Sequence, residues 1–193
     1  MANILWVTND CAHVTSTDFC HIFQEEMQSL YTLALLLTND HSLAEECFAA
    51  ALEDCLNAHS VFEEWAVSWS KRAVIKNAIR LMSPRPGKNG ESSRPPEGVG
   101  LKSKSMLAEA LFHLQQFERF VIVMSVLERY SDKECAILLN CCSQEVAAAQ
   151  SQGLRHLARS AGPRLTAAIL HNEFELAAAT RLPSVSEAVS DFR

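Results

Sequence analysis

Apolar side chains recur at helical spacing through most of the chain. From Asp18 to about Leu37, residues Phe19, Ile22, Phe23, Met27, Leu30, Tyr31, Ala34 and Leu35 return every three or four positions and paint one stripe on an α-helix. Thr38 to His41 break the stripe. Ser42 and Glu45 then have the spacing of a capping box, in which hydroxyl and carboxylate each satisfy a free backbone N–H. Behind them Leu43, Cys47, Ala51 and Cys55 share one face of a second helix, running to about Ala58. A third stretch, from about Phe62 to Met82, holds no Gly or Pro and sets Trp65, Trp69, Ala73, Ile75, Ile79 and Met82 among polar residues. Residues 18–82 are therefore expected to form a bundle of three to four helices.

The pattern stops at residues 83–104. The run SPRPGKNGESSRPPEGVGLKSK holds most of the chain's Pro and Gly and almost no large apolar groups, the composition of a flexible linker. Periodicity resumes with Leu107, Leu111 and Leu114, then Phe117, Phe120, Val121, Met124, Leu127 and Leu138, which predicts a second helical domain over 105–160. Ser131 and Glu134 fit another capping box, opening the short helix DKECAILL. A turn at Asn140 to Cys142 leads into SQEVAAAQSQGLRHLAR. Short helix, tight turn and second helix is the helix-turn-helix outline. Gly162 and Pro163 are expected to end that helix, leaving an extra alanine-rich helix and a tail in 161–193. The fold class is all-α.

Composition narrows the function. With 193 residues and 48% hydrophobic side chains, the chain has material for one ordinary core or two small ones. No run reaches the ~18–20 apolar residues of a membrane span, and the first residues, MANILWVTNDCAHV, lack a basic lead before a long apolar run; a cytoplasmic protein is expected. Seven cysteines form an odd, scattered set, several on apolar helical positions, which reads as reduced thiols. Cys11, His13, Cys20 and His21 are zinc-ligand types without the usual paired spacing, so no metal is expected. The chain lacks a Gly-rich phosphate loop, an HExxH and a G-x-S-x-G; neither catalysis nor a cofactor is expected.

A net charge of -6 leaves any nucleic-acid contact to a local patch, since neutralising phosphates needs clustered cations. Arg72, Lys76 and Arg80 supply one, at i, i+4 and i+8 on one helix face, with Asn77 beside them and Trp65 and Trp69 upstream. Cations that track phosphates and aromatic faces that stack bases suit melted single-stranded DNA. The same residues also fit a solvated basic face with both tryptophans in the bundle core.

Particular segments carry a family resemblance. LYTLALLLTNDHSLAEECFAAAL is similar to a leucine-rich helix, a short turn and an acidic helix start, held here by Ala44, Glu45 and Glu46. WSKRAVIKNAIRLM resembles a Trp-led helix with an Asn and basic residues, here Trp69, Asn77 and Arg80. ALFHLQQFERFVIVMSVLERYSDKECAILLNCCSQEV has Glu118, Arg119, Tyr130, Ser131, Glu134, Ala136, Leu139 and Val146 at matching places. No one motif is specific, but in this order, over about Phe19 to Leu157, they resemble bacterial RNA polymerase sigma factors of the extracytoplasmic-function class.

That resemblance implies a transcription initiation protein whose first domain (18–82) docks on core RNA polymerase and handles the melted strand through Trp69, Arg72, Lys76, Asn77 and Arg80. The second domain is then the reader of duplex promoter DNA, through Ser143, Gln144, Gln150 and Arg155, and an anti-sigma factor is a further possible partner. Two departures stand out. Where the family commonly places a Gln-Glu pair on its polymerase-docking helix, this chain has Ala49 and Ala50, leaving Glu45, Glu46, Phe48 and Leu52 as candidate contacts. The recognition helix carries Glu145 and Ala147 to Ala149, and alanine cannot hydrogen-bond a base edge. The alternative expectation is a degenerate sigma-like regulator that binds proteins without recognising promoters.

Overall fold

The computed structural model describes residues 13–58, 61–87 and 106–171, which form helices and turns apart from an isolated antiparallel bridge between His13 and Phe62. Helix α1 spans Ser16–Glu25 and α2 spans Met27–Thr38. The single helix expected over 18–37 is thus divided at Glu26. Burial explains the division: α1 buries Phe19 and Phe23 from one side only, whereas α2 buries Leu30 and every residue from Thr32 to Thr38. A one-striped helix covers a bundle; a helix apolar all round runs through its middle. The chain turns between the two.

Helix α3, His41–Leu56, is capped two residues earlier than the expected Ser42. Asp40 is the N-cap, extended at φ -150°, and its Oδ1 accepts from Leu43 N–H at 2.9 Å. A carboxylate at the positive end of a helix, with the right backbone geometry, displaces the hydroxyl two residues on. A 3-10 turn, Glu63–Trp65, leads into α4, Ala66–Met82. The inner faces of α3 and α4 meet through Ala44, Cys47, Ala51 and Cys55 on one side and Ala73, Val74 and Ala78 on the other, all buried. Small side chains let the two backbones approach: the Cys47 thiol reaches Val74 O at 3.3 Å.

Ser83, at φ 45°, ends α4, and the start of the expected linker is described as far as Gly87; residues 88–104 lie outside the described residues. Helix α5, Met106–Phe112, and α6, Gln116–Ile122, precede a π-helical turn at Val123–Leu127. Helix α7, Asp132–Leu139, opens on the expected Ser131–Glu134 capping box, and Asn140, left-handed at φ 51°, closes it. Helix α8, Ser143–His171, packs on α5, α6 and α7. Its Gly153 lies against α6, so that a Cβ there would stand 2.7 Å from Ile122 Cγ1.

The expected break at Gly162–Pro163 is absent: α8 runs on to His171, and the extra helix is its continuation. Proline removes one backbone donor and crowds one carbonyl, a local cost. The following RLTAAIL is rich in good helix formers, which favour continuing the helix. Residues 172–193, the rest of the expected tail, lie outside the described residues.

The two halves touch. Arg119 of α6, only 1% exposed, donates from Nε and Nη2 to Leu37 O at 3.3 Å and from Nη1 to Leu114 O at 3.5 Å. Leu37 O is one of the carbonyls that the end of α2 leaves without an intrahelical partner, and a cation suits that negative helix end. Gln116 Nε2 donates to Met82 O at 2.8 Å. Lys71 of α4 pairs with Glu128 at 2.9 Å.

Candidate nucleic-acid interface

Helix α4 divides its residues sharply. Ala66, Ser70, Ala73, Val74, Ile75, Asn77 and Ala78 face inward, while Trp65 and Trp69 are 57% and 41% exposed. The tryptophans therefore do not fill the bundle core. Phe62 supports Trp65 edge-on, with ring centroids 5.2 Å apart. Lys76 Nζ lies 6.0 Å from the centre of the Trp69 ring, within cation–π range.

Asn77 departs from the expected contact set. It is 1% exposed, and its Nδ2 donates to Asp54 Oδ2 at 2.7 Å and to Ala73 O at 2.9 Å. Its amide joins α3 to α4 and does not reach the surface. Arg80 extends this network, donating to Asn77 Oδ1 and lying 3.4 Å from Asp54 Oδ2, though its side chain stays largely exposed. Inward-facing positions 73, 74 and 77 and outward-facing 69, 72, 76 and 80 follow the helical repeat, which assigns Asn77 to the buried side.

A cleft of about 500 Å³ lies between the first turns of α4 and the segment from Glu128 to Glu134. Trp65, Trp69, Lys71 and Arg72 line one wall; Glu128, Arg129 and Tyr130 line the other. Arg72 Cζ stands 6.0 Å over the Tyr130 ring, and Lys71 holds Glu128, whose side chain is 9% exposed. Burial pushes the Tyr130 phenol up from its ordinary value, against the lowering effect of Arg72. Hydrogen bonds from Ser131 hold Glu134 below the usual carboxylate range.

Of this wall, Lys71, Glu128 and Arg129 went unforeseen. Lys71 lies off the i, i+4, i+8 series, and Arg129 adopts a left-handed φ of 59° with neither Gly nor Asn to mark it.

On α8, Ser143 and Gln144 are exposed, as are Ala147, Ala148 and Arg155. Arg155 Nε donates back to Ser151 O at 3.1 Å, and Gln150 Nε2 donates to Ser125 Oγ of the π-helical turn at 3.2 Å. Glu145 accepts from Cys142 N–H at 2.8 Å, which lowers its carboxyl below the ordinary range. It is thus occupied in capping its own helix.

On α3, Glu45, Glu46 and Ala49 are exposed, whereas Phe48 and Leu52 are half-buried against the core. Phe48 stands edge-on to Phe23 at 5.3 Å and to Tyr31 at 6.3 Å. The expected docking set thus separates into an acidic outer pair and an apolar pair that largely serves the bundle.

His13 stacks on Phe62 at 4.8 Å, Cys20 and His21 are exposed, and Cys11 lies outside the described residues. Among the described residues no group of three or more His, Cys, Asp or Glu is disposed to hold a metal ion, and no helix is long and apolar enough to cross a membrane. No family model, curated protein or solved structure matches the chain.

Proposed function

We propose that this protein is a sigma-factor-like transcription initiation protein that binds core RNA polymerase and directs it to promoter DNA. The observation that carries the reading is the outer face of α4: exposed Trp69, and exposed Trp65 in the turn just before it, stand with Lys71, Arg72 and Lys76 in a chain of net charge -6. Leaving large aromatic surface in water forgoes the stabilisation that burial supplies, and stacking on bases recovers it. Trp69, Arg72 and Lys76 are the contacts to melted DNA, with Arg80 beyond them and Asn77 holding the helix in place.

The acidic outer face of α3, with Glu45 and Glu46, is the polymerase-docking surface. The α7–turn–α8 unit meets duplex DNA upstream through Ser143, Gln144 and Arg155, the last phosphate-directed, with Gln150 held back by Ser125. This end of the interface is the weaker one, because Ala147 and Ala148 offer only methyl groups. Replacing Trp69 and Lys76 together by Ala is expected to reduce open-complex formation on a preassembled polymerase complex at least tenfold, a stacked base being worth ~1–3 kcal/mol. Circular dichroism checks that the fold survives. Unchanged open complexes in the folded variant would remove α4 from the mechanism.

The exposed alanines favour a second reading, a sigma-like regulator that occupies the polymerase or an anti-sigma factor without recognising promoters. Salt titration separates the two. A promoter reader loses DNA affinity steeply as salt rises, whereas the regulator has none to lose.

A further inference from the structure

This inference rests on the nucleic-acid reading of α4 and concerns how that site is regulated. We propose that the turn Glu128–Tyr130 is a built-in competitor for single-stranded nucleic acid at α4, its carboxylate taking the place of a phosphate and its phenol ring the place of a base.

A nucleotide offers an anion and a flat ring a short distance apart. Two neighbouring cations of α4 meet that pair of groups within the molecule. Lys71 Nζ holds Glu128 Oε2 at 2.9 Å, and Arg72 Cζ lies 6.0 Å over the Tyr130 ring. Both come from one turn, 57 residues along the chain from Lys71. The turn is fixed at its base, where Glu128 N–H donates to Val123 O at 3.0 Å and Tyr130 N–H to Met124 O at 2.9 Å. Between them Arg129 holds φ 59°, a conformation that a residue other than Gly, Asn or Asp adopts at a cost. The anchored π-helical turn thereby presents carboxylate and ring together to α4.

Coverage of the face is partial. Trp65 and Trp69 remain exposed in the cleft wall, and Lys76 lies outside the cleft. The competitor therefore weakens binding without abolishing it, and a strand that engages the tryptophans first can displace Glu128 from Lys71.

The test is the affinity of the full chain for a fluorescein-labelled 12-mer of thymidylate at low salt, read by anisotropy. Glu128→Gln keeps the side-chain shape and removes the anion. Glu109→Gln, an exposed site on α5, makes the same change in net charge elsewhere. The competitor predicts at least fivefold tighter binding for Glu128→Gln than for Glu109→Gln, with Glu128→Ala moving the same way. It also predicts that adding Trp69→Ala and Lys76→Ala to Glu128→Gln removes the gain.

Equal affinities for the two Gln variants, each still weakened by the α4 substitutions, would overturn the competitor and leave the nucleic-acid reading of α4 standing. No binding by the wild-type chain or any variant would overturn both.

Discussion

Cys47, Cys55 and Cys135 sit in apolar surroundings, and desolvation pushes their thiols up from 9.0 to about 12, 11 and 12. Above about pH 9 the unfolded chain releases protons that the folded chain keeps. Stability is therefore full below pH 9 and falls as pH rises, by about 1.4 kcal/mol per pH unit for each thiol ionised only when unfolded. Urea unfolding between pH 8 and pH 10.5 should show this decline, with a shallower slope in Cys47→Ala. Mass spectrometry after brief treatment with a thiol reagent at pH 8 should find Cys20 and Cys142, both exposed, labelled well before the three buried cysteines. Labelling at equal rates would contradict the burial. At this scale the sequence was informative about type and less so about direction. The scattered cysteines were expected on apolar helical positions, and Cys47, Cys55 and Cys135 are buried there. Asn77 read as a DNA contact because it stands beside cations, yet one step of 100° around the helix from Lys76 carries it to the buried side, onto Asp54.

Helix boundaries show which local signals decide. The Ser131–Glu134 box was legible and formed, because side chain and backbone donors within four residues satisfy each other without tertiary help. Ser131→Ala should cost about 1 kcal/mol, seen as a drop of about 2–4 °C in Tm. The Ser42–Glu45 pattern was equally visible and lost to Asp40, since caps compete and the carboxylate stood two residues earlier. The division at Glu26 and the passage of α8 through Pro163 depend on what surrounds each helix, which no short window contains. Gly153 likewise depends on its surroundings. It lies against α6, and Gly153→Ala would set its Cβ 2.7 Å from Ile122 Cγ1. Overpacking should outweigh the gain in helix propensity, for a net loss of about 1–2 kcal/mol by denaturant unfolding. A stabilised variant would mean that the two helices lie further apart.

For the whole molecule, the all-α class was plain from periodicity, and the contacts between halves were not. Linker composition in 83–104 gives no sign that Arg119 reaches back to the end of α2. Burial lowers its guanidinium to about 10, and among the described residues it is paired with carbonyls, so there it joins the halves through helix-end geometry. Arg119→Ala removes charge-assisted hydrogen bonds and leaves Leu37 O unpaired, and should cost about 3 kcal/mol in chemical denaturation. A loss under about 1 kcal/mol would contradict that role. The same approach of the halves brings Glu128 and Tyr130 to α4 and makes the cleft beside the exposed tryptophans. The central claim is that this assembly serves transcription initiation, and its most direct test is binding of the purified protein to core RNA polymerase, followed by transcription from fragmented genomic DNA of its source. The account predicts specific binding and start sites that appear only when the protein is present; failure to bind the polymerase would contradict it, and binding without new transcripts would favour the regulator.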